Sequence, residues 1–306
     1  MADTSRVLVM TLSNIGDVVL TTPVLEALAA RFPESRIDLF ADARSADLLA
    51  AAPYLGEIFL YDKRSSWRTR LRFLRRLRRH RYRLVVDLRS HVLAHLLRAD
   101  QRLYKPRQRQ PGMHAAEEHY AALAPLALGP QRPLCRVHLN QDDRSAAAQL
   151  LASLPGERWL AIAPGANWPG KKWPRDAYRA LLDLAASRFD AAIILGSMQD
   201  QEDAHVIARS TLPTLITAGH TALRTAAALL ARAEAFVGND SGLGHIAAAM
   251  GIATITPFGP GDPQRYRPWG ARTCVVQAPN NDLALLTPER VWSALEDLLA
   301  SSSGTP

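Results

Sequence analysis

The segment FVGNDSGLGHIAAAMG, residues 236–251, has the composition of an anion-binding turn. Three glycines, Gly238, Gly242 and Gly244, separate a short apolar run from a stretch of small residues. This order predicts a strand, a glycine-rich turn and then a helix beginning at His245. Backbone N–H groups in such a turn can converge on an anion, and the helix dipole adds partial positive charge there. An ordinary strand-to-helix loop is the alternative, because a single glycine-rich turn is a weak motif.

Side chains in other predicted loops could complete a site for a phosphorylated ligand. Lys171 or Lys172 could contact phosphate, since lysine binds phosphate as a point charge. Asp200 and Glu202 could accept hydrogen bonds from ribose hydroxyls, as acidic side chains do in dinucleotide-binding folds. Asp17 lies in the loop after the first predicted strand, where a carboxylate could act as general base on an acceptor hydroxyl.

Each of these residues also has a purely structural explanation. Asp17 could favour the start of a helix electrostatically, and Asp200 could cap a helix. The lysines could simply be exposed, and His245 could be a hydrogen-bonded core residue. The sequence has no GxxxxGKS/T, GxSxG or HExxH motif, and no GxGxxG follows the first predicted strand. These absences disfavour a P-loop, a serine hydrolase of the GxSxG type, a zinc protease and an NAD-binding domain of the usual kind.

The positive charge of the chain is concentrated in one segment. The net charge is +8, with +9 in residues 1–150 (24 Lys+Arg, 15 Asp+Glu) and −1 in residues 151–306 (13 Lys+Arg, 14 Asp+Glu). Residues 63–83 alone hold 11 Lys+Arg and no acid. The apolar residues that recur there at helical spacing are Trp67, Leu71, Leu74 and Leu77. This spacing predicts an amphipathic basic helix.

Three roles for the basic helix stay open. It could be a solvated surface helix that packs by its leucines. Its arginines could instead contact an anionic membrane surface or an anionic glycolipid, and the candidates are Arg75, Arg76, Arg78 and Arg79. Nucleic acid is the third partner considered, but no nucleic-acid fold signature accompanies the basic segment.

Alternating strands and helices must position these residues. Apolar runs predict strands at 6–12, 37–40, 57–61, 84–88, 159–163, 191–195, 214–217, 235–237 and 253–257. Helices between them favour βαβ units and two successive doubly wound α/β sheets. Ligands of such folds bind in the crevice at the carboxyl ends of the strands. Residues 100–140 look irregular apart from a short helix near 114–123, and we expect the domain boundary near 142–158.

Length and composition agree with a two-domain intracellular protein. A chain of 306 residues exceeds the size of one ordinary domain. No apolar run approaches the roughly 20 residues that span a bilayer, and the first residues lack the pattern of a secretion signal. Cys135 and Cys274 have no metal-ligand spacing, so we expect buried thiols. The expected location is the cytosol.

Taken together, six segments resemble glycosyltransferase family 9, the bacterial lipopolysaccharide heptosyltransferases. They are VLVMTLSNIGDVVLTTPVLEALAARFP at 7–33, LVVDLRS at 84–90, APGANWPGKKWP at 163–174, ILGSMQDQE at 194–202, VGNDSGLGHIAAAMG at 237–251 and FGPGDPQRYRPWG at 258–270. Each segment is only moderately specific, whereas their order and spacing are specific together. The resemblance covers almost the whole chain.

The resemblance implies a GT-B architecture, with two Rossmann-like doubly wound α/β domains that face each other across a cleft. Residues 1–150 would bind the acceptor and residues 151–306 the nucleotide sugar, and the terminal helix could return to pack on the N-terminal domain. The implied activity is inverting transfer of a heptose from ADP-heptose to the inner core of lipopolysaccharide. A family 9 enzyme with another nucleotide sugar or acceptor is one alternative. A non-catalytic nucleotide- or nucleic-acid-binding protein is the other.

The resemblance also assigns roles to residues of this chain. Asp17 matches the catalytic base, and Lys171 matches the phosphate-binding lysine of a Lys-x-Trp-Pro pattern, with Lys172 as the x residue. The nucleoside contact falls at or near Asp200, and we include the neighbouring Glu202. The segment that holds the donor diphosphate matches Asp240, Ser241, Gly242, Leu243, Gly244 and His245.

One loop departs from the family pattern. Some members carry Thr or Ser in the loop before the phosphate-binding lysine, where hydroxyls can touch phosphate. This chain has Ala166 and Asn167 there, so Asn167 is the polar candidate for the donor site. No acidic DxD-type cluster is evident, so we expect transfer without a metal or another cofactor. The expected partners are the sugar donor, the lipopolysaccharide acceptor and, by peripheral contact, the cytoplasmic face of the inner membrane, without nucleic acid.

Overall fold

Parallel strands and helices alternate through two units of the chain. The computed structural model describes residues 6–62, 64–89, 92–108, 110–129 and 133–301. Lys63 of the basic segment and Ser90 of the LVVDLRS segment lie outside the described residues. The units are Met1–His138 and Leu139–Pro306. The division lies 12 residues before the boundary expected at 150/151, because a helix at Gln141–Leu151 belongs to the second unit.

The first unit is a five-stranded parallel sheet with helices on both faces. Its strands are β1 Arg6–Met10, β2 Arg36–Ala41, β3 Leu55–Leu60, β4 Tyr82–Asp87 and β5 Ala99–Tyr104. Its helices are α1 Ile15–Val19, α2 Thr22–Arg31, α3 Ala43–Leu49, α4 Trp67–Leu77 and α5 Ala115–Tyr120, with 3₁₀ turns at Leu93–Leu96 and Ala121–Leu126. The strand order is β3-β2-β1-β4-β5.

The two faces of this sheet form separate cores because successive strand residues point to opposite sides. Val7 and Val9 of β1 pack on one side with the apolar residues of α2. Leu8 and Met10 pack on the other side, where Leu77 at the end of α4 is buried with them. The basic helix α4 therefore covers the second face of the sheet.

The second unit is a six-stranded parallel sheet. Its strands are β6 Trp159–Ala163, β7 Ala191–Ile194, β8 Thr214–Ile216, β9 Ala235–Gly238, β10 Ala253–Phe258 and β11 Thr273–Gln277. Its helices are α6 Gln141–Leu151, α7 Arg175–Ala185, α8 Gln201–Ile207, α9 Leu223–Leu230, α10 Gly242–Ala249, α11 Pro263–Tyr266 and α12 Pro288–Ala300. Short 3₁₀ turns lie at Pro169–Lys171, Met198–Asp200, Pro279–Asn281 and Leu283–Leu285. The strand order is β11-β10-β9-β6-β7-β8. The predicted fold class, doubly wound α/β in both halves, is confirmed.

The terminal helix α12 begins where the sequence predicted. Thr287 caps it by accepting a hydrogen bond from the backbone N–H of Arg290, at 3.4 Å. Its buried residues, Val291, Leu295 and Leu299, belong to the core of the second unit. The possible return of α12 to the N-terminal domain stays a prediction. No helix among the described residues has the length and hydropathy to cross a bilayer.

Three local features differ from the sequence-based expectation. Strands β5 and β11 were not predicted, because each is only partly buried and does not read as a continuous apolar run. The predicted single helix after β1 is two helices, α1 and α2, because the chain breaks between Val19 and Thr22. Helix α10 begins at Gly242, three residues before the predicted start, so the predicted glycine turn is largely the first turn of the helix.

The sheet topology determines which loops meet. In each sheet the first three strands in sequence are added one after another on one side of the first strand. The next strand then pairs with the other side of the first strand, and the sheet grows in the opposite direction. The reversal lies between β1 and β4 in the first unit and between β6 and β9 in the second. Doubly wound sheets bind ligands at the carboxyl ends of the two strands beside this reversal. Ligand-binding residues are therefore expected in the loops after β1, β4, β6 and β9.

Candidate functional site

In the second unit, the loops after β6 and β9 leave the sheet side by side. Ala163, the last residue of β6, pairs in register with Gly238, the last residue of β9. The backbone N–H of Asn239 then donates to the carbonyl of Ala163 at 3.3 Å. The PGANWPGKKWP loop and the NDSGLGH segment, which are about 70 residues apart in sequence, thus start from one point.

Asn239 connects these two loops and is fully buried. Its side-chain Oδ1 accepts from the backbone N–H of Trp173 at 3.0 Å and from the Tyr178 hydroxyl at 2.9 Å. Its Nδ2 donates to the carbonyl of Pro164 at 2.6 Å. One side chain therefore fixes both ends of the segment that carries the two lysines.

Lys171 reaches the β9 loop directly. It ends the 3₁₀ turn Pro169–Lys171, and its ammonium makes a short ion pair with the carboxylate of Asp240. Asp240 directly precedes Ser241, the residue before helix α10. The contact therefore brings a cation to the N-terminal end of α10, and the phosphate contact that the resemblance implies for Lys171 stays a prediction.

The N-terminal end of α10 has an unused hydrogen-bonding group. Ser241 is extended and its hydroxyl does not cap the helix. The buried Ser241 Oγ has no hydrogen-bond partner within the described ranges. Gly242, Leu243 and Gly244 form the first helical turn, whose N–H groups have no partner within the helix. Helix N–H groups, the Ser241 hydroxyl and the Lys171 ammonium together make an environment that favours an anion.

His245 lies one residue further along α10 and is buried. It belongs to the part of the helix that packs into the second unit, whereas Asn167 is exposed in the loop after β6. The proposed donor contacts of these two residues stay predictions.

Asp200 is held by the protein itself. Its Oδ2 accepts from the backbone N–H and hydroxyl of Ser197, at 2.8 and 2.7 Å, which forms a capping box. Its Oδ1 lies 3.4 Å from the ammonium of Lys172. A Cβ at Gly165 would lie 2.4 Å from Oδ2, so the backbone approaches this carboxylate as only glycine allows. Asp200 is thus the third residue of a capping box at the 3₁₀ turn Met198–Asp200, whereas its side chain makes no capping hydrogen bond to α8, the helix that it was expected to cap as the structural alternative.

Glu202 differs from Asp200 in its surroundings. Its side chain is 85% exposed and pairs with Arg175 at 2.9 Å. The nucleoside contact assigned to Asp200 and Glu202 stays a prediction.

The two neighbouring lysines contact different carboxylates. Lys172 lies 3.6 Å from Asp203, whereas Lys171 pairs with Asp240.

In the first unit, Asp17 follows β1 at the reversal of the sheet. It lies in the first turn of α1, is half-buried, and accepts a hydrogen bond from the Asn14 side-chain amide at 3.0 Å. His119 is buried nearby, with Nδ1 3.3 Å from the carbonyl of Leu20. Burial and the charge of Lys105 lower the pKa of His119 to about 4, which the negative charge of Asp17 partly opposes. The imidazole is therefore neutral near pH 7.

Arg89 follows β4, the other strand at this reversal. Its guanidinium lies over the rings of Tyr61 and Phe40, 5.2 and 5.6 Å from their centroids. Its Nη1 is buried and has no hydrogen-bond partner in the described part of the chain. Arg89 was not among the predicted site residues, although it stands in the LVVDLRS segment directly after a predicted strand.

The basic helix α4 is confirmed. Ser66 caps it by accepting from the backbone N–H of Thr69 at 3.3 Å. Arg75, Arg78 and Arg79 are exposed. Arg76 differs, since its Nε donates to Glu57 Oε1 at 2.8 Å and its guanidinium lies 5.3 Å from the centroid of Phe59.

Asn239 was also missed by the sequence analysis. The available signal was its place between Gly238 and Asp240, at the end of an apolar strand. Asparagine carries both a donor and an acceptor on one short side chain. A buried asparagine at the end of a strand can therefore hydrogen-bond the backbone of the loops around it and hold them in place.

Comparisons with known proteins show which family this chain is similar to. A model of glycosyltransferase family 9 (heptosyltransferase) matches residues 70–290. Lipopolysaccharide heptosyltransferase 1 of Pseudomonas aeruginosa is 28% identical, over 96% of this chain and 98% of that protein. Lipopolysaccharide heptosyltransferase 3 of Escherichia coli (strain K12) is 26% identical, over 83% of this chain and 82% of that protein.

A solved structure extends the similarity to three dimensions. The E. coli ADP-heptose LPS heptosyltransferase II superposes with a TM-score of 0.82 at 25% identity. The match covers 98% of this chain and 100% of that one.

Proposed function

Since the chain belongs to glycosyltransferase family 9, and is therefore a glycosyltransferase, we propose that it moves a heptose from ADP-heptose to an inner-core sugar of lipopolysaccharide. Similarity to proteins named lipopolysaccharide heptosyltransferase supports both the donor and the class of acceptor. The relatives carry the numbers 1, 3 and II at comparable identity, so they do not favour one acceptor position. Family membership argues against a non-catalytic nucleotide- or nucleic-acid-binding protein.

The main support for the donor proposal is the ion pair between Lys171 and Asp240, which lies just before helix α10. The ammonium would exchange the Asp240 carboxylate for the β-phosphate of the donor, while Ser241 Oγ and the first N–H groups of α10 donate to phosphate oxygens. As the bond between the anomeric carbon and the phosphate oxygen breaks, negative charge grows on the leaving ADP. Donors already aimed at that position stabilise the transition state more than the ground state. We propose that these groups act without a metal ion.

Asp17 would be the general base. Its carboxylate would take the proton of the acceptor hydroxyl as the hydroxyl oxygen attacks the anomeric carbon, and ADP would leave from the opposite side. This displacement inverts the anomeric configuration. The half-buried position and the hydrogen bond from Asn14, which fixes one carboxylate oxygen, support this role.

A transfer assay with ADP-heptose and heptose-deficient lipopolysaccharide tests the function. We expect Asp17→Asn to lower the rate about 10²–10⁴-fold, the usual contribution of a general base, with ADP affinity unchanged. Glu34→Gln, which neutralises an exposed carboxylate of the same unit, should transfer normally. Near-normal transfer by folded Asp17→Asn would refute the base assignment.

The same assay separates the remaining candidates. Activity with a UDP- or GDP-linked sugar but none with ADP-heptose would favour a family 9 enzyme with another donor. Activity that persists in excess EDTA is expected, and its loss would overturn the proposal of metal-independent transfer.

We also propose peripheral contact with the cytoplasmic face of the inner membrane, supported by the exposed arginines Arg75, Arg78 and Arg79 of α4.

A further inference from the structure

An apolar cavity of about 650 Å³ lies between α4 and the sheet of the first unit. This volume is in the range of small-molecule sites. One side is the face of α4 that carries Trp67, Arg70, Leu71 and Leu74, at helical spacing i, i+3, i+4 and i+7. The other sides are formed by Met10 and Phe40 of the sheet, by Tyr61 and Arg89, which follow β3 and β4, and by Val92, Leu93 and Leu96 in and beside the next 3₁₀ turn.

The cavity is open and leaves large apolar side chains exposed to water. Trp67 is 69% exposed and Val92 68% exposed, and Leu71 and Leu96 are exposed as well. A cluster of this kind marks a binding surface more often than single exposed apolar residues do. Only part of the apolar face of α4 is therefore buried against the sheet: Leu77 packs in the core, whereas Trp67 and Leu71 line the cavity.

The cavity also contains a positively charged side chain, the partly buried Arg89. Arg89 lines it, and Arg89 Nη1 is buried without a hydrogen-bond partner among the described residues. An arginine donor left unpaired in an apolar setting is costly, and an anion would satisfy it. Arg70 of α4 lines the same cavity. The occupant must then be apolar along most of its length and negatively charged at one point.

We propose that this cavity binds one acyl chain of an anionic membrane phospholipid, with the phosphate at Arg89. The chain would lie along Trp67, Leu71 and Leu96, and the exposed arginines of α4 would face the anionic surface from which the lipid comes. A neutral occupant would leave Arg89 unpaired, and a small anion would leave the apolar walls in water. The site would tie the first unit to a lipid independently of the sugar that is transferred.

Three soluble probes test the proposal by calorimetry below the critical micelle concentration: lauroyl lysophosphatidylglycerol, monolauroylglycerol and glycerol 3-phosphate. The first carries both the chain and the phosphate, the second the same chain without a phosphate, and the third the phosphate without a chain. We expect the first to bind at least about tenfold more tightly than either other probe, as one charge-assisted contact predicts. Equal binding of the two lauroyl compounds would overturn the proposal.

Two variants with a matched control locate the site. Arg89→Gln should weaken lysophosphatidylglycerol binding about tenfold or more, and Leu71→Glu should also weaken it by placing a negative charge at the cavity. Arg72→Gln removes the same charge as Arg89→Gln from an exposed position of α4 outside the cavity and should leave affinity within about twofold. Equal losses for Arg89→Gln and Arg72→Gln would refute a specific site. A dimer that Leu71→Glu dissociates would show that a second copy is the occupant instead.

Discussion

Lys171 and Lys172 are adjacent in the chain but contact different carboxylates. Lys171 pairs with Asp240 beside α10, and Lys172 lies near Asp200 and Asp203 beside α8. The Lys-Lys pair therefore joins two loops rather than providing two equivalent phosphate contacts. Lys171 alone lies at the end of α10, where a phosphate would be stabilised.

His119 predicts an acid-sensitive first unit. Its side chain is 2% exposed, and burial together with Lys105 lowers its pKa from 6.5 to about 4. The unfolded chain takes up a proton near pH 6.5 and the folded chain near pH 4, so stability is full above pH 6.5 and falls as pH drops towards 4. The loss should be on the order of 3 kcal/mol, and urea unfolding at pH 4–8 measures it.

His119→Gln isolates this contribution, because glutamine can still donate to the Leu20 carbonyl but does not titrate. We expect the variant to show a smaller loss of unfolding free energy between pH 6.5 and pH 4 than the unsubstituted protein. Carboxylates contribute to acid unfolding in both proteins, so the difference between the two curves belongs to His119. Parallel curves would contradict the prediction.

At the element scale, the loops after β6 and β9 are positioned by Asn239. Asn239→Ala would leave the buried Trp173 N–H and the Pro164 carbonyl unpaired. At about 1–3 kcal/mol for each of the two groups, the second unit should lose about 2–6 kcal/mol of stability. Because the same loop carries Lys171, ADP affinity should fall as well. Urea unfolding and calorimetric titration with ADP measure the two effects.

Two variants calibrate this prediction. Tyr178→Phe removes one hydrogen bond to Asn239 and leaves the other two, so it should cost less, about 1 kcal/mol. Asn167→Ala removes an exposed amide from the same loop and should change stability by no more than about 0.5 kcal/mol. If Asn239→Ala unfolds at the same urea concentration as Asn167→Ala, Asn239 does not hold these loops.

Nine of the eleven strands could be predicted from sequence because they are short apolar runs, including β3 and β8 at two of the sheet edges. The edge strands β5 and β11 could not, since a half-exposed strand such as ADQRLY has no apolar run to reveal it. Helix boundaries were less predictable: glycine suggested a turn at Gly242 and Gly244, whereas packing of α10 makes both helical. Local propensity is a weak guide where tertiary contacts decide the conformation.

The candidate site was predictable only in part. The residue types of Lys171 and Asp240 were visible, but their contact spans 69 positions and depends on the strand order β9-β6. Asp200 was predicted as a ligand contact or as a helix cap, and its partnership with the N–H and hydroxyl of Ser197 depends on the loop conformation. The place of Arg89 in the apolar cavity beside α4 could not be predicted, because a single arginine after a strand has no distinctive sequence pattern.

For the whole molecule, charge separates the two units. Residues 1–138 hold 23 Lys+Arg and 13 Asp+Glu, a balance of +10, whereas residues 139–306 hold 14 and 16, a balance of −2. The donor site proposed above lies in the nearly neutral unit, and the exposed arginines of α4 lie in the basic one. A division of this kind suits an enzyme that takes a soluble donor and an acceptor on an anionic surface.

This division predicts that α4 dominates binding to anionic vesicles. A basic residue near such a surface contributes roughly 1 kcal/mol, so replacing Arg75, Arg78 and Arg79 together by glutamine should weaken binding to phosphatidylglycerol vesicles about 100-fold. Co-sedimentation at low ionic strength measures the loss, and binding of the unsubstituted protein should itself decline as salt is added.

The matched control replaces three exposed arginines of the second unit, Arg209, Arg232 and Arg290, by glutamine. Net charge changes by the same amount, so this variant separates a local basic surface from attraction by total charge. It should keep most of its vesicle binding, because its substitutions lie in the other unit, away from the basic segment. Equal losses in the two triple variants would mean that total charge attracts the protein. If neither variant loses binding, α4 is a solvated surface helix that packs by its leucines.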